Sequence, residues 1–171
     1  MLWNPSFDPI LAAALGAWIV NEFNPESVLD FGGANNALYL APYEAAGATV
    51  TGIDLTNNPD FTPFCQPSDL WYDLAMCVGV APELQLQYAT PLINSLSSMG
   101  RRILLFLGSS EGLSANGKPQ PSWLPRFRAN GWDEYPPEGD LRLMLSALWT
   151  ANGMTVTPST FSNTFLLQKV N

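Results

Sequence analysis

The sequence predicts an α/β fold with a mainly parallel sheet, helices on both faces and a C-terminal antiparallel hairpin. Short apolar segments alternate with longer helical ones, which is typical of parallel strands joined by crossover helices. The length of 171 residues suits one domain with one core, so residues 1–171 are expected to form a single unit.

Local signals delimit the predicted elements. Asp8 can cap the first helix and Asn24-Pro25 ends it, while Pro42 is expected to kink or split the second helix. Asn-Gly pairs close the last two helices. The predicted strands cover residues 27–31, 48–53, 72–78 and 102–107, with two more in 154–170. The predicted helices cover residues 8–23, 82–98, 122–130 and 140–152, with one more that Gly47 closes.

Composition excludes several kinds of site. With no histidine and two cysteines, the chain cannot form His-based metal sites, a four-ligand zinc site or Ser-His-Asp and Cys-His catalytic groups, and no metal is expected. The longest apolar run, residues 10–20, is about half a membrane span. We therefore expect a cytoplasmic protein without a membrane partner.

Charge is distributed unevenly along the chain. The net charge of −8 disfavours duplex nucleic acid as a partner. All lysines and arginines lie in residues 101–171. Residues 1–100 contain acidic residues and no basic ones. This asymmetry fits either a cationic ligand or simple solubility.

The segment Val-Leu-Asp-Phe-Gly-Gly-Ala-Asn-Asn, residues 28–36, is the strongest indication of a binding site. Ligands of doubly wound sheets bind at the carboxyl ends of the strands. A glycine there lets the backbone approach the ligand because no Cβ intrudes. Asp54 ends the next predicted strand, where its carboxylate can accept hydrogen bonds from two ribose hydroxyls.

This layout resembles the signature of class I S-adenosylmethionine-dependent methyltransferases, an apolar pair followed by Asp-x-Gly-x-Gly-x-Gly. Asp30 and Gly32 match it, whereas Ala34 and Asn36 replace the second and third glycines. The resemblance implies a Rossmann-like methyltransferase fold and S-adenosylmethionine as cofactor. The cofactor-binding residues that it implies are Asp30, Gly32, Gly33, Ala34, Asp54, Leu55, Cys77 and Gly79.

Two other interpretations of this turn remain open. A dinucleotide-binding turn would read Gly32-x-Ala34-x-x-Ala37, but an acidic Asp30 suits a cationic methionyl group better than a diphosphate. A structural turn without any ligand is the other alternative.

A second block, residues 71–84, resembles the fourth-strand motif of these enzymes, with Asp73 as its opening acidic residue. Residues 121–132, with Leu141-Arg142 beyond, resemble a subset found in phage and in sugar- or polysaccharide-related methyltransferases. The resemblance covers residues 8–170. It implies a small-molecule acceptor, either anionic or sugar-like.

The chain departs from the family pattern in the middle and at the acceptor loops. The segment between Asp54 and Asp73 is about half the family's usual length, so the fold is expected to be shortened around the third strand. The loop after the fourth-strand motif lacks the subset's first acidic residue and its histidine. Glu83 is then the candidate general base, although it is also a typical solvated residue of a helix's first turn. A catalytically inactive binding or structural protein is the alternative function.

Two further sets of side chains are candidates for ligand contacts. Four aromatic residues can line a pocket or simply pack in the core or a lid; they are Trp3, Phe7, Trp71 and Trp123. Four basic residues can form a patch for an anionic acceptor or lie on solvated helix faces; they are Lys118, Arg126, Arg128 and Arg142.

Overall fold

The computed structural model describes residues 9–32, 37–53, 71–80, 88–107, 123–135, 140–153 and 164–170. Helices and strands alternate along these residues, as the sequence predicts. The helices are α1 (Pro9–Phe23), α2 (Ala37–Ala45), α3 (Ala89–Met99), α4 (Trp123–Ala129) and α5 (Asp140–Ala151). The strands are β1 (Ser27–Phe31), β2 (Thr49–Ile53), β3 (Tyr72–Val78), β4 (Gly100–Leu107), β5 (Trp132–Glu134) and β6 (Thr164–Lys169).

The described strands form one sheet in the order β2-β1-β3-β4-β6-β5. Strands β1 to β4 pair in parallel, and β6 runs antiparallel between β4 and β5. The predicted mainly parallel sheet with an antiparallel C-terminal strand is therefore confirmed. The first strand of the expected terminal hairpin and the short segment after Asp54 lie outside the described residues.

Helices cover both faces of the sheet, as predicted. Helices α1, α2 and α5 pack on one face, and α3 and α4 pack on the other. Because successive side chains point to opposite faces, a strand covered on both sides must be apolar throughout. Strand β3 buries every residue from Leu74 to Val78. None of the helices in the described ranges is both long enough and apolar enough to cross a membrane.

Strand β5 is absent from the sequence-based prediction. Its 3 residues are too few to show an alternating pattern. The strand exists because β6 pairs with it, in the register Trp132 with Lys169 and Glu134 with Leu167.

Pro42 lies inside α2, which continues from Ala37 to Ala45, so the proline does not split this helix. The proline ring packs against α1 at Gly16. A Cβ on Gly16 would lie 2.5 Å from Pro42 Cγ and 2.6 Å from Pro42 Cβ. Contact with α1 therefore explains the proline, since glycine leaves the room that the ring fills.

Replacing Gly16 with alanine is expected to lower the free energy of unfolding by about 1–3 kcal/mol, the usual cost of overpacking a core. The proline ring is rigid, so the two helices must separate to admit the methyl group. Urea unfolding measures the loss. The exposed Ala17→Gly is the control, because it changes helix propensity alone and should cost about 1 kcal/mol. Alanine at position 16 also gains the helix propensity that the control loses, so a Gly16→Ala protein more stable than the wild type by that full amount would contradict the close approach of α1 and α2.

Candidate active site at the carboxyl edge of the sheet

The parallel strands β1 to β4 all end at one edge, called here the carboxyl edge. Strands β1 and β3 are adjacent at the centre of the sheet, with β2 beside β1 and β4 beside β3. Neighbouring strands are about 4.8 Å apart, so the ends of these strands span roughly 14 Å. Ligands of open α/β sheets bind at this edge.

Glycines follow both central strands where they reach the carboxyl edge. Gly32 follows β1 with φ 98°, and Gly79 follows β3 with φ 72°. Their backbone N–H groups donate to neighbouring strand ends, Gly32 to Ile53 O at 2.8 Å and Gly79 to Leu107 O at 3.0 Å. These backbone angles favour glycine over residues with a Cβ. The structure therefore brings these two predicted site residues to adjacent positions.

Asp30 lies one residue before the end of β1. Among the described residues it is the only charged residue that is buried. In register it lies beside Gly52 of β2 and Met76 of β3. A carboxylate removed from water is costly unless hydrogen bonds or an opposite charge compensate it. Asp30, which the sequence predicts as a cofactor-binding residue, therefore lies buried in a central strand, one residue from the carboxyl edge.

Cys77 lies near the end of β3, beside Phe106 of β4, and is fully buried as a free thiol. Burial raises the pKa of this thiol, and the nearby charge of Asp30 raises it further. The thiolate is the reactive form of cysteine. Cys77 therefore stays protonated at neutral pH and is unsuited to act as a nucleophile or a base.

The other predicted site residues lie outside the described part of the chain. They are Gly33, Ala34, Asp54, Leu55 and Glu83. The described chain ends next to each of them at the carboxyl edge, at Gly32, Ile53 and Val80. Lys118 and the aromatic residues Trp3 and Phe7 are likewise outside it.

Two residues of the fourth-strand motif lie at the opposite, amino edge of the sheet. Asp73 Oδ2 accepts from the Glu26 N–H at 3.0 Å, and the Asp73 N–H donates to Ser27 Oγ at 3.0 Å. These bonds join the starts of β1 and β3, so the role of Asp73 is structural. Trp71 precedes β3 and is 64% exposed. It is therefore remote from the carboxyl edge and does not line a pocket there.

Trp123 begins α4 and packs in the core. Its ring lies 4.9 Å from the ring of Phe106, between centroids. Phe106 also contacts Phe127 and Phe165 at 5.3 and 6.3 Å. Of the two alternatives for Trp123, the structure supports core packing, and this packing fixes α4 against the sheet.

The basic residues do not form one patch among the described residues. Arg128 pairs with Asp133 at 2.8 Å and lies 3.7 Å from Glu134. Arg142 pairs with the same Glu134 at 2.7 Å. The bond from Arg128 lowers the pKa of Asp133, which keeps that pair ionised at neutral pH.

Arg126 makes a different contact, which the sequence does not predict. Its Nη1 donates to Thr90 Oγ1 of α3 at 3.0 Å. The two residues are 36 positions apart, and no local pattern links them. Within the described ranges, no three Asp, Glu or Cys side chains gather as metal ligands.

The fold of this chain is similar to the folds of several solved methyltransferases. Magnesium protoporphyrin IX methyltransferase of Synechocystis PCC 6803 with bound SAH matches at a TM-score of 0.62 and 17% identity, over 95% of this chain and 82% of that one. The 1,6-didemethyltoxoflavin-N1-methyltransferase of Burkholderia thailandensis matches at 0.54 and 14%, over 96% and 80%. A methyltransferase of Thiobacillus denitrificans with S-adenosyl-L-homocysteine matches at 0.53 and 17%, over 98% and 94%.

These similarities show that the chain has the Rossmann-like fold of class I methyltransferases. No protein-family model matches the sequence, and no curated protein does. The likeness therefore lies in the fold rather than in close sequence identity.

Proposed function

We propose that this protein transfers a methyl group from S-adenosylmethionine to a small-molecule acceptor. The observation that carries the proposal is the carboxyl edge, where a buried Asp30 and the glycines Gly32 and Gly79 end adjacent strands. Similar solved structures that hold SAM or SAH support the same cofactor here.

The described residues fit this cofactor. The two glycines leave the backbone without a Cβ at the strand ends, which allows a ligand to approach it closely. The acidic Asp30 suits a ligand that carries positive charge. A diphosphate ligand, as in the dinucleotide alternative, would be repelled by this carboxylate.

The proposed mechanism depends on alignment. The cofactor supplies a methyl group on a positively charged sulfur, which is a good leaving group. Asp54 accepts hydrogen bonds from ribose hydroxyls, and Glu83 receives the proton that the acceptor releases. Gly32, Gly33 and Ala34 would hold the cofactor after β1, and Leu55, Cys77 and Gly79 would complete its surroundings. Holding the two reactants in line accounts for much of the rate.

The acceptor is proposed to be a small anionic or sugar-like molecule. Solved methyltransferases of similar fold are named for different small molecules, magnesium protoporphyrin IX in one case and 1,6-didemethyltoxoflavin in another. The subset resemblance to phage and polysaccharide-related enzymes supports the sugar-like class. A cytoplasmic setting is consistent with the buried free thiol of Cys77, because thiols persist in reducing compartments.

Asp54→Ala is expected to weaken binding of S-adenosylhomocysteine by about 1–3 kcal/mol, the cost of unmet partners of a charged hydrogen bond. Titration calorimetry on the folded protein measures this. Glu44→Ala, which removes an exposed carboxylate from α2, is the matched control and should bind as the wild type does. If folded wild-type protein binds neither S-adenosylmethionine nor S-adenosylhomocysteine, the proposed function is wrong.

A further inference from the structure

The 7 lysine and arginine residues of this protein all lie in its second half. Residues 1–100 contain no lysine or arginine. The segments that follow β1, β2 and β3 in the chain, 33–36, 54–70 and 81–87, therefore contain no cation. A side-chain cation that pairs with an anionic ligand at this edge must therefore be one of the 7 basic residues of the second half.

Three of these cations lie at the amino edge. Arg101 and Arg102 are exposed at the start of β4. Lys169 ends the antiparallel β6 and lies over the ring of Trp132, 5.6 Å from its centroid. Because β6 runs opposite to β4, its last residues lie beside the first residues of β4. These three cations therefore lie at the edge of the sheet opposite to the carboxyl edge and are too far from a ligand bound there.

Two more cations are neutralised by carboxylates. Arg128 and Arg142 share Glu134, and Arg128 also holds Asp133. Arg142 donates its Nε–H to Thr164 O at 3.3 Å and stacks over Phe165. An anion would have to compete with carboxylates that are already bound, which disfavours both arginines as its receptor.

Arg126 is different, because no carboxylate within the described ranges lies within ion-pair distance of it. Its side chain is partly buried, and one terminal nitrogen is held by Thr90. A guanidinium has five N–H donors in a rigid fork. The bond to Thr90 orients the fork, and among the described side chains no other acceptor is bound to its remaining donors.

Arg126 and Thr90 lie near the N-terminal ends of their helices. Helix α3 follows β3 and helix α4 follows the carboxyl end of β4, so Thr90 lies in the first turn of one helix and Arg126 in the first turn of the other. Helical side chains tilt toward the helix N-terminus, which here is the end nearer the carboxyl edge. Packing of Trp123 on Phe106 holds the first turn of α4 in place.

We infer that Arg126, oriented by Thr90, binds an anionic group of the methyl acceptor, a carboxylate or a phosphate. The inference rests on the proposed function, since it places the acceptor beside the cofactor edge. It selects the anionic class of acceptor over the neutral, sugar-like one. Lys118, outside the described residues, is the other cation that the elimination leaves, and the test separates the two.

The experiment titrates ¹⁵N-labelled protein, with and without saturating S-adenosylhomocysteine, using inorganic phosphate in one arm and acetate in the other. The arginine Nε–H resonances and backbone amides of α3 and α4 report binding. We expect one of the two anions to shift the Arg126 Nε–H signal. Arg126→Gln should weaken that anion at least about ten-fold, as expected for loss of a charge-assisted hydrogen bond.

Matched variants make the result specific. Arg101→Gln removes a cation at the amino edge, and Lys118→Gln removes the other candidate cation. Each variant should change the affinity for the anion less than two-fold, that is, by less than about 0.4 kcal/mol. Thr90→Val should weaken binding, and Thr90→Ser should restore it, because serine keeps the hydroxyl. If Arg126→Gln fails to fold, Arg126→Lys, which keeps the charge but loses the fork, should still weaken binding.

Three results would show that Arg126 does not bind the anion. Wild-type-like anion binding by Arg126→Gln, loss in Lys118→Gln instead, or no binding of either anion would overturn the inference. S-adenosylhomocysteine affinity, measured on the same samples, should be unchanged by Arg126→Gln. If the wild type does not bind S-adenosylhomocysteine, the proposed function is wrong. If the wild type binds S-adenosylhomocysteine but Arg126→Gln does not weaken anion binding, only the anion site is wrong.

Discussion

Replacing Glu83 with glutamine is expected to lower the rate of methyl transfer about 10²–10⁴-fold, the usual contribution of a general base. Glutamine keeps the size of the side chain and removes its capacity to take a proton. The chain has no histidine, and burial keeps the Cys77 thiol protonated, so a carboxylate is the best candidate base. Single-turnover assays with radiolabelled S-adenosylmethionine, on an acceptor labelled by the wild type in a small-molecule extract, measure the rate.

The controls separate chemistry from binding. Glu44→Gln makes the same change on an exposed face of α2 and should transfer methyl at the wild-type rate. Glu83→Gln should also bind S-adenosylhomocysteine normally, because its proposed role is toward the acceptor. Unchanged turnover in Glu83→Gln would remove this residue from the mechanism and leave alignment as the main catalytic effect. A wild type that binds the cofactor but labels no acceptor would favour the inactive binding protein.

Phe106→Ala is expected to reduce the free energy of unfolding by about 3–5 kcal/mol, the range for removing a buried phenylalanine. Phe106 is fully buried in β4 and contacts three aromatic rings, those of Trp123, Phe127 and Phe165. Alanine would leave a cavity between the sheet and α4. Equilibrium urea unfolding, followed by tryptophan fluorescence, gives the loss.

Two comparisons calibrate this value. Phe106→Leu fills more of the space and should cost clearly less than alanine. Leu143→Ala removes an exposed side chain from α5 and should change stability by no more than about 0.5 kcal/mol. A loss below about 1 kcal/mol in Phe106→Ala would mean that the aromatic cluster does not anchor α4.

The central strands could be predicted from sequence because their signals are local. Residues 27–31 and 72–78 are the observed bounds of β1 and β3. Each is a short, mainly apolar segment followed by a glycine with a positive φ. The turn after β1, with Asp30 before it, also indicated the edge where a ligand would bind. All these residues are near neighbours in the chain.

The last strands depended on partners distant in sequence. Strand β5 has too few residues for a pattern and is held by β6, which inserts between it and β4. Pro42 looked like a helix breaker, yet α2 continues through it because the ring fits against Gly16 of α1. No local rule anticipates either outcome, since both depend on packing between separate elements.

The sequence by itself therefore determined the fold class, the acidic first half, the absence of histidine chemistry and the candidate cofactor edge, because composition and short-range patterns specify these. Only the tertiary structure decided which partners the arginines of the described residues have. Arg128 and Arg142 converge on Glu134 from different helices, and Arg126 reaches Thr90 across 36 positions. Ion pairs and hydrogen bonds act over a few ångströms in space, so their partners follow from the folded arrangement and not from spacing in the chain.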